Sequence, residues 1–189
     1  DVLDGLGQQR LPEQDPLGPT LLPPGPAEGE ATMQTLLMPL LERAEATASL
    51  QGRPWRGPDL WPQWIDQPSQ DGTIAEIVAN LLDNAFRYSP AGCGVGLCLL
   101  PDGLCVWDNG PPIPLEERDL IFERGARGST GQDRAGTGLG LALARSLAEQ
   151  QGRKLTLCVE PSTIAPDLPA QGNAFVLSWP AGARPDPTT

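Results

Sequence analysis

Histidine is missing from this 189-residue chain, and cysteine appears only four times, never as a C-x-x-C pair. A structural zinc site needs closer thiols or imidazole partners, so that class is set aside. Cys93, Cys98, Cys105 and Cys158 read instead as reduced, semi-buried small apolar residues, which suits a cytoplasmic setting. Positive charge is also scarce: Lys and Arg number 13 against 24 Asp and Glu, a net charge of -11. Phosphate-backbone binding rests on clustered cations, so a dedicated nucleic-acid surface is not expected; a nucleotide needs only local positive groups. No apolar run approaches the ~20 residues of a membrane span, and no signal peptide opens the chain. The segment is therefore expected to be soluble and to make no membrane contact, whatever the attachment of a longer parent.

Glycine and proline are abundant instead, 22 of each, and 39% of residues are hydrophobic. That is enough for one core with many turns. Residues 1–30 are rich in Pro, Gly and acids without periodicity and read as a linker or tail. Residues 31–181 form the expected domain, and 182–189 a second tail. A helix is expected from Thr32, with Pro39 near its first turn. Between Arg53 and Ile65, Trp55, Trp61 and Trp64 sit among prolines. They read as rings packed by edge segments rather than as a nucleic-acid platform.

The most informative stretch is Glu76 to Pro90, E-I-V-A-N-L-L-D-N-A-F-R-Y-S-P. On a helix, Glu76, Asn80, Asn84 and Arg87 fall at roughly 0°, 40°, 80° and 20° around the axis. Ile74, Ile77, Val78, Leu81, Leu82 and Ala85 take the far side and face a core. Amides are poor helix formers, so helix stability does not explain this polar stripe. Asp71 or Thr73 is the expected N-cap. Downstream, G-V-G-L-C-L-L, the turn Pro101-Asp102-Gly103 and L-C-V-W-D form a hairpin, with Asp108 at the strand end. Asp108 suits an acceptor for an amino group, or an ordinary D-N-G turn carboxylate. Leu115 to Phe122 reads as a short helix, residues 125–138 as a glycine-rich loop, and Leu139 to Gln151 as an amphipathic helix stopped by Gly152. Strands are expected at Leu155 to Val159 and Ala174 to Trp179. Gly136-Thr137-Gly138-Leu139-Gly140 lies where the loop enters the helix, which suits either an anion held by unpaired N–H groups or a glycine loop that merely packs tightly.

In this order, E-I-V-A-N-L-L-D-N-A-F-R-Y-S-P, D-N-G-P-P-I-P, I-F-E-R-G-A-R-G-S and G-T-G-L-G-L-A-L-A-R resemble the N-box, first glycine box, F-box and second glycine box of one family. It is the ATP-binding catalytic domain of bacterial sensor histidine kinases, in the superfamily of gyrase, MutL and the heat-shock ATPases. The resemblance implies an α+β fold, a two-layer α/β sandwich with a mixed sheet and helices on one face. It implies ATP and Mg²⁺, with Asn80 as the metal ligand, Asn84 and Arg87 at phosphates, and Tyr88 beside the adenine. Asp108 would read the adenine amino group, with Gly110 letting the chain turn beside it. Arg127 would reach the terminal phosphate from a lid of roughly residues 125–137, while Gly136, Thr137, Gly138, Leu139 and Gly140 would wrap the phosphates. Glu76 would stand near the attacking nucleophile as base or positioning group. The implied partners are a helical dimerisation domain carrying the phosphoacceptor histidine, which this chain lacks, and a response regulator. Two departures stand out. Pro112 replaces the usual second glycine of its box, which implies a rigid or reshaped base loop. Gly125 and Ala126 replace the usual F-box aromatics, which implies a weaker lid anchor. An ATP hydrolase using Glu76 and a non-catalytic nucleotide-binding module remain as alternatives.

Overall fold

Thr32 and Thr35 cap each other reciprocally and start helix α1, Met33–Leu50, satisfying two otherwise orphaned N–H groups. The computed structural model in which this is seen describes residues 31–66, 72–125 and 138–179. Met33, Leu37, Leu41, Ala44 and Ala48 are its buried stripe, at helical spacing. Pro39 lies well inside α1 and not in its first turn. The helix starts where expected, at the Thr32 cap, and six residues on from Met33 put Pro39 in the second turn. Pro39 is exposed, so the carbonyl left without its bond lies toward water.

Strand β1 (Trp55–Arg56) runs parallel to β2 (Val95–Leu100) at the sheet edge. The hairpin of β2 with β3 (Gly103–Asp108) is antiparallel in the register Val95 to Asp108, and β3 continues antiparallel onto β5 (Asn173–Ser178). The strand β4 (Lys154–Cys158) closes the order β1-β2-β3-β5-β4, a mixed five-stranded sheet as expected. All six residues of β3 are buried, because both of its faces are covered.

Helices α1, α2 (Thr73–Tyr88) and α3 (Gly140–Gln150) cover one face. The six apolar residues assigned to the hidden side of α2 are its six buried residues. They meet Val95, Leu97, Leu99, Leu104, Val106, Phe175 and Leu177 in one core. Burying that many large side chains, each contributing on the order of 1.5–3 kcal/mol, dominates the stability of this layer. On the other face Cys105, Trp107, Leu168 and Ala174 form a smaller core under residues 161–169.

Of the three tryptophans expected to pack, Trp55 and Trp64 do, whereas Trp61 is exposed. Trp64 donates its indole N–H to the Leu100 carbonyl at 2.8 Å and meets Trp179 edge-on, while Trp55 stacks on Phe86. Gly72, with no side-chain cap, occupies the N-cap of α2; Thr73 is the first helical residue, and Asp71 lies outside the described residues. Leu115 to Phe122 is not one short helix but two 3-10 turns, Leu115–Glu117 and Leu120–Phe122. Eight residues scarcely nucleate an α-helix, and burial of Ile121 and Phe122 sets the path instead. The two expected tails lie outside the described residues.

Candidate functional site

Asp108 ends β3 on the helix-bearing face, since strand alternation turns it the same way as Leu104 and Val106. It is only 5% exposed. Its Oδ1 accepts the Gly110 N–H at 2.8 Å and the Asn173 amide at 3.2 Å. No hydrogen bond engages Oδ2 among the described residues. Burial pushes the Asp108 carboxyl up from its ordinary value; the Gly110 N–H, the Asn173 amide and the Arg53 charge act in the opposite direction without cancelling it. A carboxylate with one oxygen tied and one open is suited to accept one further donor. Gly110 must stay small: a Cβ there would stand 2.8 Å from Asp108 Oδ1 and 3.1 Å from Pro90 Cδ.

Asn173 was not foreseen. It is the direct partner of Asp108 across β3 and β5. Besides Asp108, its amide donates to the Pro111 carbonyl at 3.0 Å and accepts from the Ile113 N–H at 2.8 Å. One side chain thus holds the loop containing Pro112 against the strand carrying Asp108. Arg53 was missed as well. Buried near the C-terminal end of α2, it donates to the Phe86 and Cys93 carbonyls at 3.1 and 2.9 Å and to Ser89 Oγ. The start of the β2 segment, α2 and the end of the α1 loop are joined through that guanidinium.

Along α2 the polar stripe faces away from the core. Asn80 and Asn84 are half-buried, Glu76 and Arg87 exposed, and Tyr88 is the last helical residue. Asn80 turns its Nδ2 back onto the Glu76 carbonyl at 2.9 Å, which directs Oδ1 away from its own backbone. A Cβ on Gly140 would lie 3.4 Å from that oxygen. Asn80 Oδ1 and the start of α3 are therefore neighbours. Arg87 pairs with Asp83 at 2.8 Å on the same helix.

Helix α3 begins with Leu139 at its N-cap and no side-chain cap. Its first N–H groups keep the partial positive charge of a helix start, a natural place for an anion. Gly138 accepts a backbone bond from Gly125 at 3.1 Å, so the two ends of the 126–137 segment are pinned together. Phe122 beside that junction is buried, edge-on to Phe175 and under the Arg145 guanidinium. Arg127, Gly136 and Thr137 lie outside the described residues. The site is thus arranged along α2. Asp108, Gly110 and Asn173 stand at its C-terminal end, and Asn80, Gly138, Leu139 and Gly140 gather nearer its start.

Residues 70–183 match the model of a family described as histidine kinase-, DNA gyrase B- and HSP90-like ATPases. The sensor histidine kinase Hik2 of Thermosynechococcus vestitus is 36% identical over 159 residues, 80% of this chain and 39% of that protein. Escherichia coli sensor protein KdpD is 33% identical over 121 residues, 61% of this chain and 13% of that protein. The chain therefore spans well under half of these relatives. The solved mycobacterial sensor histidine kinase MprB superposes with a TM-score of 0.54 at 26% identity, covering 76% of this chain and 93% of that one. The nucleotide-free catalytic domain of histidine kinase ThkA does so at 0.57 and 21% identity, covering 80% and 95%, which supports the fold alone. The chain belongs to the histidine kinase-, DNA gyrase B- and HSP90-like ATPases and, within them, to the ATP-binding catalytic domains of bacterial sensor histidine kinases. Its α+β fold is that of this class.

Proposed function

We propose that this chain binds ATP with Mg²⁺ and donates the γ-phosphoryl group to a histidine on a helical dimerisation domain, which then serves a response regulator. The observation that carries the reading is the division of labour along α2. The open oxygen of a buried Asp108 stands at one end, and an outward amide oxygen against an uncapped helix start stands nearer the other. Asp108 Oδ2 accepts a hydrogen bond from the adenine amino group, Gly110 lets the ring approach, and Tyr88 flanks it. The N–H groups around Gly138, Leu139 and Gly140, with Asn84 and Arg87, hold the phosphates; Gly136, Thr137 and Arg127 complete that wall from the lid. Arg87 leaves Asp83 for phosphate in this reading.

Asn80 supplies an oxygen of the kind a hard cation requires. Among the described residues no three His, Cys, Asp or Glu side chains gather into a metal cluster, so the triphosphate and water provide the remaining ligands. Mg²⁺, when bound, neutralises charge on the transferring phosphoryl. Glu76, exposed and one helical turn before Asn80, takes the proton from the attacking imidazole in this reading. The bond from the γ-phosphorus to the bridging oxygen breaks, a phosphorus–nitrogen bond forms, and ADP leaves. Transfer of this kind needs alignment and charge neutralisation above all. The test is incubation with γ-labelled ATP and the parent's helical, histidine-bearing segment. Acid-labile label on that segment is expected; free phosphate alone would mean an ATP hydrolase, and neither product a non-catalytic module.

A further inference from the structure

Three of the cysteines share the sheet face turned away from the helices, and two of them are direct partners. Cys98 on β2 stands opposite Cys105 on β3, and both belong to the smaller core, with Cys158. Just beyond the β2–β3 ladder the Asn109 N–H donates to the Gly94 carbonyl at 3.2 Å. Every second pair of an antiparallel ladder exchanges hydrogen bonds, and counting in twos from that bond makes Cys98–Cys105 such a pair, with Cα atoms about 5.5 Å apart. A disulfide spans Cα separations of about 4.4–6.8 Å, so the backbone needs no movement to accept one here. The other thiols are out of reach. Cys158 lies on β4, with β5 between it and β3, roughly 9–10 Å away at two strand spacings. Cys93 precedes β2, about 16 Å up the chain from Cys98 at extended spacing.

We propose that Cys98 and Cys105 are a peroxide-oxidised pair that closes reversibly to an intrachain disulfide across the β2–β3 hairpin. Access sets the order of events. Cys105 is 0% exposed, whereas Cys98 is half-buried. Strand alternation turns the Cys98 side chain to this face, where it lines a cavity of about 220 Å³ bounded by the exposed Leu60. A water takes about 30 Å³ of the liquid, so hydrogen peroxide has room to reach Cys98. The hydrogen bond from Cys105 lowers the Cys98 pKa, and Arg56 at the cavity rim acts in the same direction; burial, Asp167 and Asp59 oppose them. A reachable thiolate beside a second thiol is the arrangement of a redox-active cysteine with its resolving partner. The Cys98 thiolate attacks one peroxide oxygen, the O–O bond breaks, and the departing hydroxide takes up the proton Cys98 has lost. Cys98 is then a sulfenic acid. The Cys105 sulfur attacks the Cys98 sulfur, the S–O bond breaks, and the oxygen leaves with the Cys105 proton as water. Two thiols have given up two electrons, and one peroxide has become two waters. A dithiol reductant restores both thiols by exchange. The pair and Asp108 lie on opposite faces of the sheet, so the inference stands independently of the kinase reading.

The full 189-residue chain, reduced and freed of reductant, is exposed to hydrogen peroxide, quenched with N-ethylmaleimide in denaturant and mapped by mass spectrometry after chymotryptic digestion. The expected product is a Cys98–Cys105 cross-link, two hydrogens lighter than its separate peptides and reversed by dithiothreitol. In Cys98→Ser, the Cys105 thiol should disappear at least about tenfold more slowly than Cys98 does in the wild type. In Cys105→Ser, Cys98 should stop at a sulfenic acid that dimedone traps. The wild-type map decides the matter even if a variant folds poorly. The proposal is overturned if no thiol is lost, or if Cys98 passes to sulfinic acid while Cys105 stays a thiol. A link from Cys98 to Cys93, Cys158 or a second chain, or equally fast loss of Cys105 without Cys98, overturns it as well.

Discussion

Replacing Asp108 by Asn changes one atom at the centre of the proposed base pocket. The amide oxygen can keep both bonds that Oδ1 now accepts, from Gly110 at 2.8 Å and Asn173 at 3.2 Å. The remaining position becomes NH₂ where the carboxylate presented Oδ2, and an adenine amino group then meets a donor. Losing a hydrogen bond to a charged acceptor costs about 1.5–3 kcal/mol, which is about 10- to 150-fold in affinity. Isothermal titration with a non-hydrolysable ATP analogue and Mg²⁺ reads this directly. Inosine triphosphate, with an oxygen in place of the amino group, should bind D108N better than it binds the wild type. Stability should move the other way. Burial raises the folded-state pKa of Asp108 above its ordinary value. Between the two values the folded state holds more protons than the unfolded one, so stability falls as pH rises through that window. At neutral pH the ionised group therefore opposes folding. D108N should melt at or above the wild-type temperature, and the difference should vanish in acid below the ordinary carboxyl pKa. Wild-type ATP affinity in a folded D108N would refute the pocket, and a markedly lower melting temperature would refute the electrostatic argument.

Two further outcomes follow from groups outside the base pocket. Arg53→Leu leaves the Phe86 and Cys93 carbonyls without their donor, so it should cost about 3 kcal/mol. That is a melting temperature roughly 6–12 °C lower at about 2–4 °C per kcal/mol; calorimetry showing no significant change would contradict this staple. Cys98 and Cys105 are direct partners across β2 and β3. The hydrogen bond from Cys105 lowers the Cys98 pKa, whereas that bond and burial push the Cys105 thiol up. Iodoacetamide should modify Cys98 well before Cys105 in the native protein, and equal rates by peptide mass spectrometry would exclude the assignment.

Features with a local period were legible in the sequence. The six buried residues of α2 follow from 3.6-residue spacing, and Asp108 falls at a strand end because Asn109-Gly110-Pro111 stops the strand. Asn173 was not legible. It lies 65 residues from Asp108, and only the β3–β5 register makes them partners. A strand read as starting at Ala174 stopped one residue short of it. Arg53 lay in a proline-rich segment with no period, and its carbonyl acceptors are 33 and 40 residues away. The departure at Pro112 also takes on a different meaning beside Asn173, which supplies side-chain bonds to Pro111 and Ile113 on either side of it. Glycine is not the only means of holding that loop.

The central claim is that the stripe on α2 is a metal-and-phosphate wall, and Asn80 is its most exacting point. Binding of a non-hydrolysable ATP analogue, titrated into the wild type and Asn80→Ala with Mg²⁺ and again with EDTA, tests it. Wild-type affinity should depend on Mg²⁺, and N80A should lose that dependence together with most of its binding. An N80A protein that binds the analogue with wild-type affinity and the same Mg²⁺ dependence would contradict the account.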